Sequence, residues 1–182
     1  ANTLTLVVSP LIALMKDQLD NLPPALRAET VAINSSMETG SAAQAWEDIA
    51  RGRYRLVYLA PERLRQWPVI EALRARGVAR LVVDEAHCVS SWGHNFRPDY
   101  LYVSRFIRER YGKELAPVSC FTATAKKEVV ADLKAHFKES LGIELTIFDG
   151  GHERDNLHYE VMPVTKAEKF PLIHRLLESE LK

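Results

Sequence analysis

The chain has 182 residues, 47% of them hydrophobic, and balances 24 basic against 24 acidic side chains to a formal charge of zero. That length and apolar content support one α/β domain with its own core and a short further segment. Neutrality excludes an overall electrostatic draw towards nucleic acid, so any such site must be local.

Elements follow from hydrophobic periodicity. Short β-branched runs at 4–8, 31–33, 55–59, 80–84, 118–121 and 145–148 read as strands. Stretches of helical period at 11–22, 38–51, 67–76, 100–111 and 126–137 lie between them. Strands alternating with helices fold as a parallel sheet covered on both faces, each crossover right-handed. The expected class is therefore a three-layer α/β domain. Ser9-Pro10 reads as a helix N-cap followed by its first residue, Gly77 and Gly112 as helix stops, and Gly142 as the turn after a fraying helix end. Gly150-Gly151-His152-Glu153 then breaks the pattern, and an alternating strand at 157–162 and a helix at 166–181 follow. The expected organisation is a first domain over 1–149, a linker over 150–156 and the truncated start of a second domain over 157–182.

The longest apolar runs are strand-length, against the roughly 20 residues needed to span a bilayer, so no membrane partner is expected. Cys88 and Cys120 are the two cysteines, with no CxxC pair and no Cys/His cluster at ligand spacing. This excludes a disulfide framework and a structural zinc in this segment, and fits a reducing cytoplasm, with nucleoid association if the source is bacterial. Ala1 and Asn2 lead straight into a buried-strand pattern without an initiator Met, so the chain is expected to begin inside a longer protein.

In an open parallel sheet, ligands collect beyond the carboxyl ends of the strands. The fourth run ends there in Asp84-Glu85-Ala86-His87. Adjacent carboxylates at a strand tip suit a Walker-B site, in which the Asp holds Mg²⁺ through water and the next acid orients the attacking water. The plain alternative is a solvated strand end. Chance occurrence of this tetrapeptide in a chain of this length is roughly one in a thousand. A metal hydrolase using Asp84, Glu85 and His87 is disfavoured, because successive strand residues alternate faces.

Asp84 to His87 matches motif II of superfamily 2 helicases. The following Cys88-Val89-Ser90-Ser91-Trp92-Gly93-His94-Asn95-Phe96-Arg97-Pro98-Asp99-Tyr100 resembles the aromatic-rich loop peculiar to RecQ helicases. Val7-Val8-Ser9-Pro10-Leu11-Ile12-Ala13-Leu14-Met15-Lys16-Asp17-Gln18 resembles motif Ia, Tyr58-Leu59-Ala60-Pro61-Glu62-Arg63-Leu64 motif Ib, and Phe121-Thr122-Ala123-Thr124-Ala125 motif III. The resemblance covers 3–138 and implies part of the first RecA-like domain of a P-loop NTPase-type motor. The parent it implies is an ATP-driven 3′-to-5′ DNA helicase of recombination and repair, using ATP and Mg²⁺ on single-stranded and partly duplex DNA.

The resemblance implies residue roles as well. Glu85 and Asp84 are the catalytic acids, Asp84 also holding Mg²⁺ through water. Ser9, Lys16, Gln18, Pro61, Glu62 and Arg63 line the path of a single-stranded backbone, and Trp92 and Phe96 offer rings on which bases stack. His87 links motif II to motif III through Thr122 or Thr124, while His94 and Arg97 relay DNA engagement to the acids. The match of Arg154 and Asn156 to the family's Phe-x-Arg-x-Asn join is offset by extra residues.

A P-loop needs G-x-x-x-x-G-K-[ST] so that backbone N–H groups can wrap phosphates. No pair among the eight glycines has this spacing, and Gly112-Lys113 has Ile107 where the first glycine belongs. The chain alone is therefore expected to lack ATPase activity and to bind no cofactor tightly. Two other readings stand: a non-motor RecA-like module that binds nucleic acid or protein, and another superfamily 2 ATPase such as an RNA-directed DEAH enzyme. Oligomeric state is not readable from the sequence.

Overall fold

The computed structural model describes residues 4–90, 97–111, 116–123, 126–151 and 156–180. The chain divides into two compact units, Ala1–Thr146 and Ile147–Lys182.

The first unit is built on five parallel strands: β1 (Thr5–Val8), β2 (Thr30–Ile33), β3 (Leu56–Leu59), β4 (Arg80–Val83) and β5 (Val118–Cys120). They lie side by side in the order β2-β3-β1-β4-β5. Both neighbours of β1 are in step with it, Val8 lying opposite Leu59 on one side and Val83 on the other. Ile33 likewise pairs with Leu59, and Val83 with Cys120. Every strand thus ends at one level.

Strand side chains alternate between two cores, as a period of two requires. Leu6, Val8, Val57, Leu59, Leu81 and Val83 enter the larger, with Trp46 and Ile49 of α3 (Thr39–Ala50), Val69 and Leu73 of α4 (Trp67–Arg76), Val103 and Ile107 of α5 (Leu101–Tyr111), and Val129, Leu133 and Phe137 of α6 (Lys127–Leu141). Val7 and Tyr58 face the opposite way and meet Met15 of α1 (Ile12–Asp20). Helices therefore cover both faces, and the layered α/β architecture read from the periodicity is the one observed.

The turn signals act unevenly. Gly77 ends α4 at φ 73°, its N–H donating to the Leu73 carbonyl. Helix α6 runs on past 137 to Leu141 without fraying, because the stop is Gly142 itself, at φ 69° with its N–H on the Lys138 carbonyl. Ser9 is not a helix cap: α1 starts at Ile12 behind Leu11, with no side-chain cap. A one-turn helix, α2 (Pro24–Ala28), was absent from the sequence reading, since five residues are too short to show a period. Gly112 lies outside the described residues.

The expected strands at 145–148 and 157–162 do not form. Both segments lack regular structure, and Phe148, Tyr159 and Val161 are each about nine-tenths exposed. An alternating sequence becomes a strand only against a partner, and no described strand pairs with either. Among its described residues, the second unit has irregular chain and α7 (Lys169–Glu180).

Phe137 is fully buried in the larger core. Phe137→Ala should cost about 3–5 kcal/mol, seen as a lower urea midpoint at unchanged slope. A loss below about 1 kcal/mol would remove Phe137 from the core.

Candidate functional site

The common level of the strand ends brings Ser9, Ala60, Asp84 and Phe121, each the residue after a strand, to one edge of the sheet. Asp84 sits at its centre. Its N–H continues the ladder to the Val8 carbonyl at 2.9 Å. Its Oδ2 accepts from Ser9 Oγ at 3.0 Å and from Gln18 Nε2 at 3.4 Å, and its Oδ1 accepts from the Glu85 N–H at 3.0 Å. Its carbonyl accepts from the Tyr100 hydroxyl at 2.9 Å.

Glu85 is the non-glycine residue with positive φ among the described residues, at φ 48° and ψ 45°. A left-handed glutamate costs roughly 1–3 kcal/mol and persists only where its surroundings fix it. Here the turn swings the chain out of β4 into a short 3-10 helix, Ala86–Val89. The Ala86 N–H donates to the Phe121 carbonyl, and the Cys88 N–H to the Glu85 carbonyl. The Glu85 carboxylate is thereby held outside the ladder, its side chain 27% exposed.

His87 joins the two strand ends. Its Nδ1 lies 3.0 Å from Thr122 Oγ1 and 3.1 Å from Glu85 Oε2, so one ring nitrogen faces both groups. Ser90 anchors the next segment by donating to Asp132 Oδ2 at 2.7 Å. At the far end of that loop, the Arg97 N–H donates to the Cys88 carbonyl and its Nη1 to the Pro10 carbonyl at 3.2 Å. Arg97 therefore ties the loop to the end of β1.

The remaining expected residues divide by burial. Ser9 is fully buried with its hydroxyl on Asp84, so it supports the acid and does not face solvent. Lys16 and Glu62 are exposed, Gln18 is half-buried and Pro61 is buried. Arg63 donates to the Asn34 carbonyl at 2.8 Å and to Gln66 Oε1 at 3.0 Å, which fixes the 3-10 turn Pro61–Arg65 against the end of β2. Trp92, His94, Phe96, Thr124 and Arg154 lie outside the described residues, and Asn156 is an exposed turn residue.

Sequence reasoning assigned no role to Tyr100, Arg65 or Asp99. Tyr100 is fully buried, and its phenol is pushed far above its ordinary range by burial, with the nearby Cys88 and Asp84 adding to the shift. Arg65 pairs with Asp99 at 2.8 Å and stacks on the Tyr102 ring at 3.7 Å. A Tyr that closes a polar loop was the available signal for Tyr100.

The donor set can be tested against a divalent cation. Among the described residues no three His, Cys, Asp or Glu side chains converge as a metal cage. One carboxylate beside a serine hydroxyl fits a hard cation that keeps most of its waters, as Mg²⁺ does. It does not fit a cation bound wholly by protein.

Residues 1–133 match the family model of the DEAD/DEAH box helicases. The chain is 36% identical over 168 residues to the ATP-dependent DNA helicase RecQ of Bacillus subtilis, covering 91% of this chain and 27% of that protein. It is 35% identical over 179 residues to the RecQ-like DNA helicase blm-1 of Caenorhabditis elegans, covering 94% and 18%. The crystal structure of the Pyrococcus furiosus Hef helicase domain superposes with a TM-score of 0.51 at 17% identity, over 79% of this chain and 28% of that one, a likeness of fold. A strand-end Asp-Glu pair on a parallel sheet, with a match over most of the chain, defines the class: this chain belongs to the DEAD/DEAH box helicase family. Within that family it is a RecQ-type segment, spanning about a quarter or less of these two relatives. No helix among the described residues is long and apolar enough to cross a membrane.

Both cysteines pack as free thiols beside the site, Cys88 buried and Cys120 half-buried. Burial pushes the Cys120 thiol up to about 12 from 9.0. A raised folded value means that the protonated thiol stabilises the fold below pH 9, a contribution lost as the pH climbs towards 12. At pH 8, iodoacetamide should alkylate native Cys120 roughly a thousandfold more slowly than in urea. Equal rates, read by mass spectrometry, would show the thiol to be free of the core.

Proposed function

We propose that this chain carries the hydrolytic acids and the coupling loop of the first RecA-like domain of an ATP-dependent 3′-to-5′ DNA helicase of the RecQ type. The observation that supports it most is the Asp84–Glu85 pair at the tip of β4, with Glu85 turned out of the ladder and bridged through His87 to Thr122. The names of the two relatives, both DNA helicases, support DNA as the partner.

In this reading Asp84, oriented by Ser9 and Gln18, holds Mg²⁺ through water. When bound, the ion neutralises charge on the phosphates of ATP. Glu85 faces the γ-phosphate and orients the attacking water, a task suited to a carboxylate held off the sheet and partly open to solvent. His87 passes the state of that carboxylate to Thr122 and the segment after β5. Lys16 and the turn 61–65 lie along the single-stranded backbone, Trp92 and Phe96 stack bases, and His94, Arg97 and Thr124 complete the relay. The residues after 156 begin a second domain.

Three outcomes test the proposal. In a full-length protein carrying this segment, Glu85→Gln should retain nucleotide binding while lowering hydrolysis by about two orders of magnitude or more. Wild-type turnover in that variant would remove Glu85 from the reaction. The 182-residue chain by itself, which has no phosphate-wrapping loop, should show no DNA-stimulated ATPase and only salt-sensitive single-strand binding; robust turnover of a clean preparation would refute this. Trp92→Ala or Phe96→Ala should lower the ratio of DNA-stimulated to basal hydrolysis, and an unchanged ratio would mark the rings as structural.

A further inference from the structure

We propose that Arg65 and Tyr100 are positioning residues that mechanically join the turn Pro61–Arg65 to the Asp84–Glu85 peptide, by a route that uses the last two residues of the aromatic-rich loop and not its rings Trp92 and Phe96. The inference rests on the function proposed above, in which that turn lies along DNA and that peptide carries the hydrolytic acids.

The route is short and continuous. Arg65 holds two residues of one segment at once: its guanidinium is 2.8 Å from Asp99 Oδ1, and its Cζ lies 3.7 Å from the centre of the Tyr102 ring. Asp99 and Tyr102 flank Tyr100, whose N–H closes the 3-10 turn Pro98–Tyr100 on the Arg97 carbonyl. Tyr100 is fully buried, so its ring cannot move without moving that turn. Its hydroxyl donates at 2.9 Å to the Asp84 carbonyl, in the peptide that leads directly into the left-handed Glu85.

The ladder explains why that hydroxyl matters. The Val83 carbonyl is taken by the Phe121 N–H, but at Asp84 the chain leaves the sheet and its carbonyl turns away from β5. Tyr100 supplies a donor to this part-buried carbonyl in place of the strand partner that it leaves. A left-handed non-glycine turn persists only when its neighbours fix it, so the hydroxyl contributes directly to where Glu85 points.

The other end of the route has room to move. A cavity of about 310 Å³ borders Arg65 and Tyr102, with Leu64, Ile70 and Phe106 on its walls. Arg65 is partly exposed, its side chain 45% open. A nucleic-acid backbone that draws on the exposed Arg65 head can therefore shift it into this space while Pro61 and Leu64 stay buried, and the flat stack on Tyr102 carries the shift into the segment that holds Tyr100. The two ends of the route differ in rigidity, as a transmitting contact requires, and the demonstration of coupling is a double-mutant cycle.

The test uses the full-length protein with Arg65→Ala, Tyr100→Phe and the double variant. Tyr100→Phe keeps the ring and removes one hydrogen bond; it should lower DNA-stimulated kcat about tenfold with KM for ATP changed by less than about twofold. Arg65→Ala should lower the DNA-stimulated rate in the Tyr100 background and add nothing to Tyr100→Phe. Losses that multiply would show two independent effects and overturn the route. Amide exchange gives a readout that needs no turnover: Arg65→Ala should speed exchange at Ala86 and Cys88 about fivefold or more with Tyr100 present, and leave it unchanged in Tyr100→Phe. If the wild-type protein hydrolyses no ATP with DNA, the proposed function fails and exchange alone decides the coupling. Equal exchange in all four proteins would overturn it.

Discussion

Val8 and Val83 lie side by side in the parallel sheet, and the chemistry depends on that register. Parallel pairing sets every strand end at one level, so the first residue beyond β1 meets the first beyond β4. Ser9 reaches Asp84 for this reason and not through any local signal, the two being 75 residues apart in sequence. A slip of one residue in β1 would send Ser9 to the other face and leave the carboxylate with one fewer donor. The larger core, filled from four helices, makes such a slip costly.

Around that fixed point the chain accepts local strain. Glu85 takes a backbone region that other residues avoid, and its neighbours satisfy the groups that the turn exposes: Tyr100 on the carbonyl before it, Phe121 on the amide after it, His87 on its carboxylate. These partners come from the last residue of the aromatic-rich loop, from the end of β5 and from the 3-10 turn itself. Three parts of the chain thus converge on one peptide, which makes the orientation of Glu85 responsive to each of them.

What could be read in advance follows the range of the interactions. Strands β1, β3 and β4 and helices α3 to α6 were legible because periodicity is local and strong. The Asp84–His87 motif was legible because its meaning is in four consecutive residues. Serine before proline reads as a good cap, and only the sheet register reveals the bond of Ser9 to Asp84. The segments 145–148 and 157–162 alternate like strands, yet alternation names a face without supplying a partner. The roles of Arg65 and Tyr100 lie in contacts between segments, which no local pattern encodes; for Tyr100 the one sequence signal is its place at the end of a polar loop.

The two cores are unequal. Helix α1 is fastened to its face of the sheet by one fully buried side chain, Met15, while the opposite face is packed by four helices. Local opening follows the smallest amount of buried apolar surface, so α1, held by Met15 and the half-buried Leu19, is fastened less firmly than the helices of the opposite face. Gln18, on that helix, reaches Asp84 at a long 3.4 Å. Ser9 is embedded at the end of β1. The two side-chain donors of the carboxylate thus rest on unequal footings, one embedded in the sheet and the other carried by the more lightly packed helix.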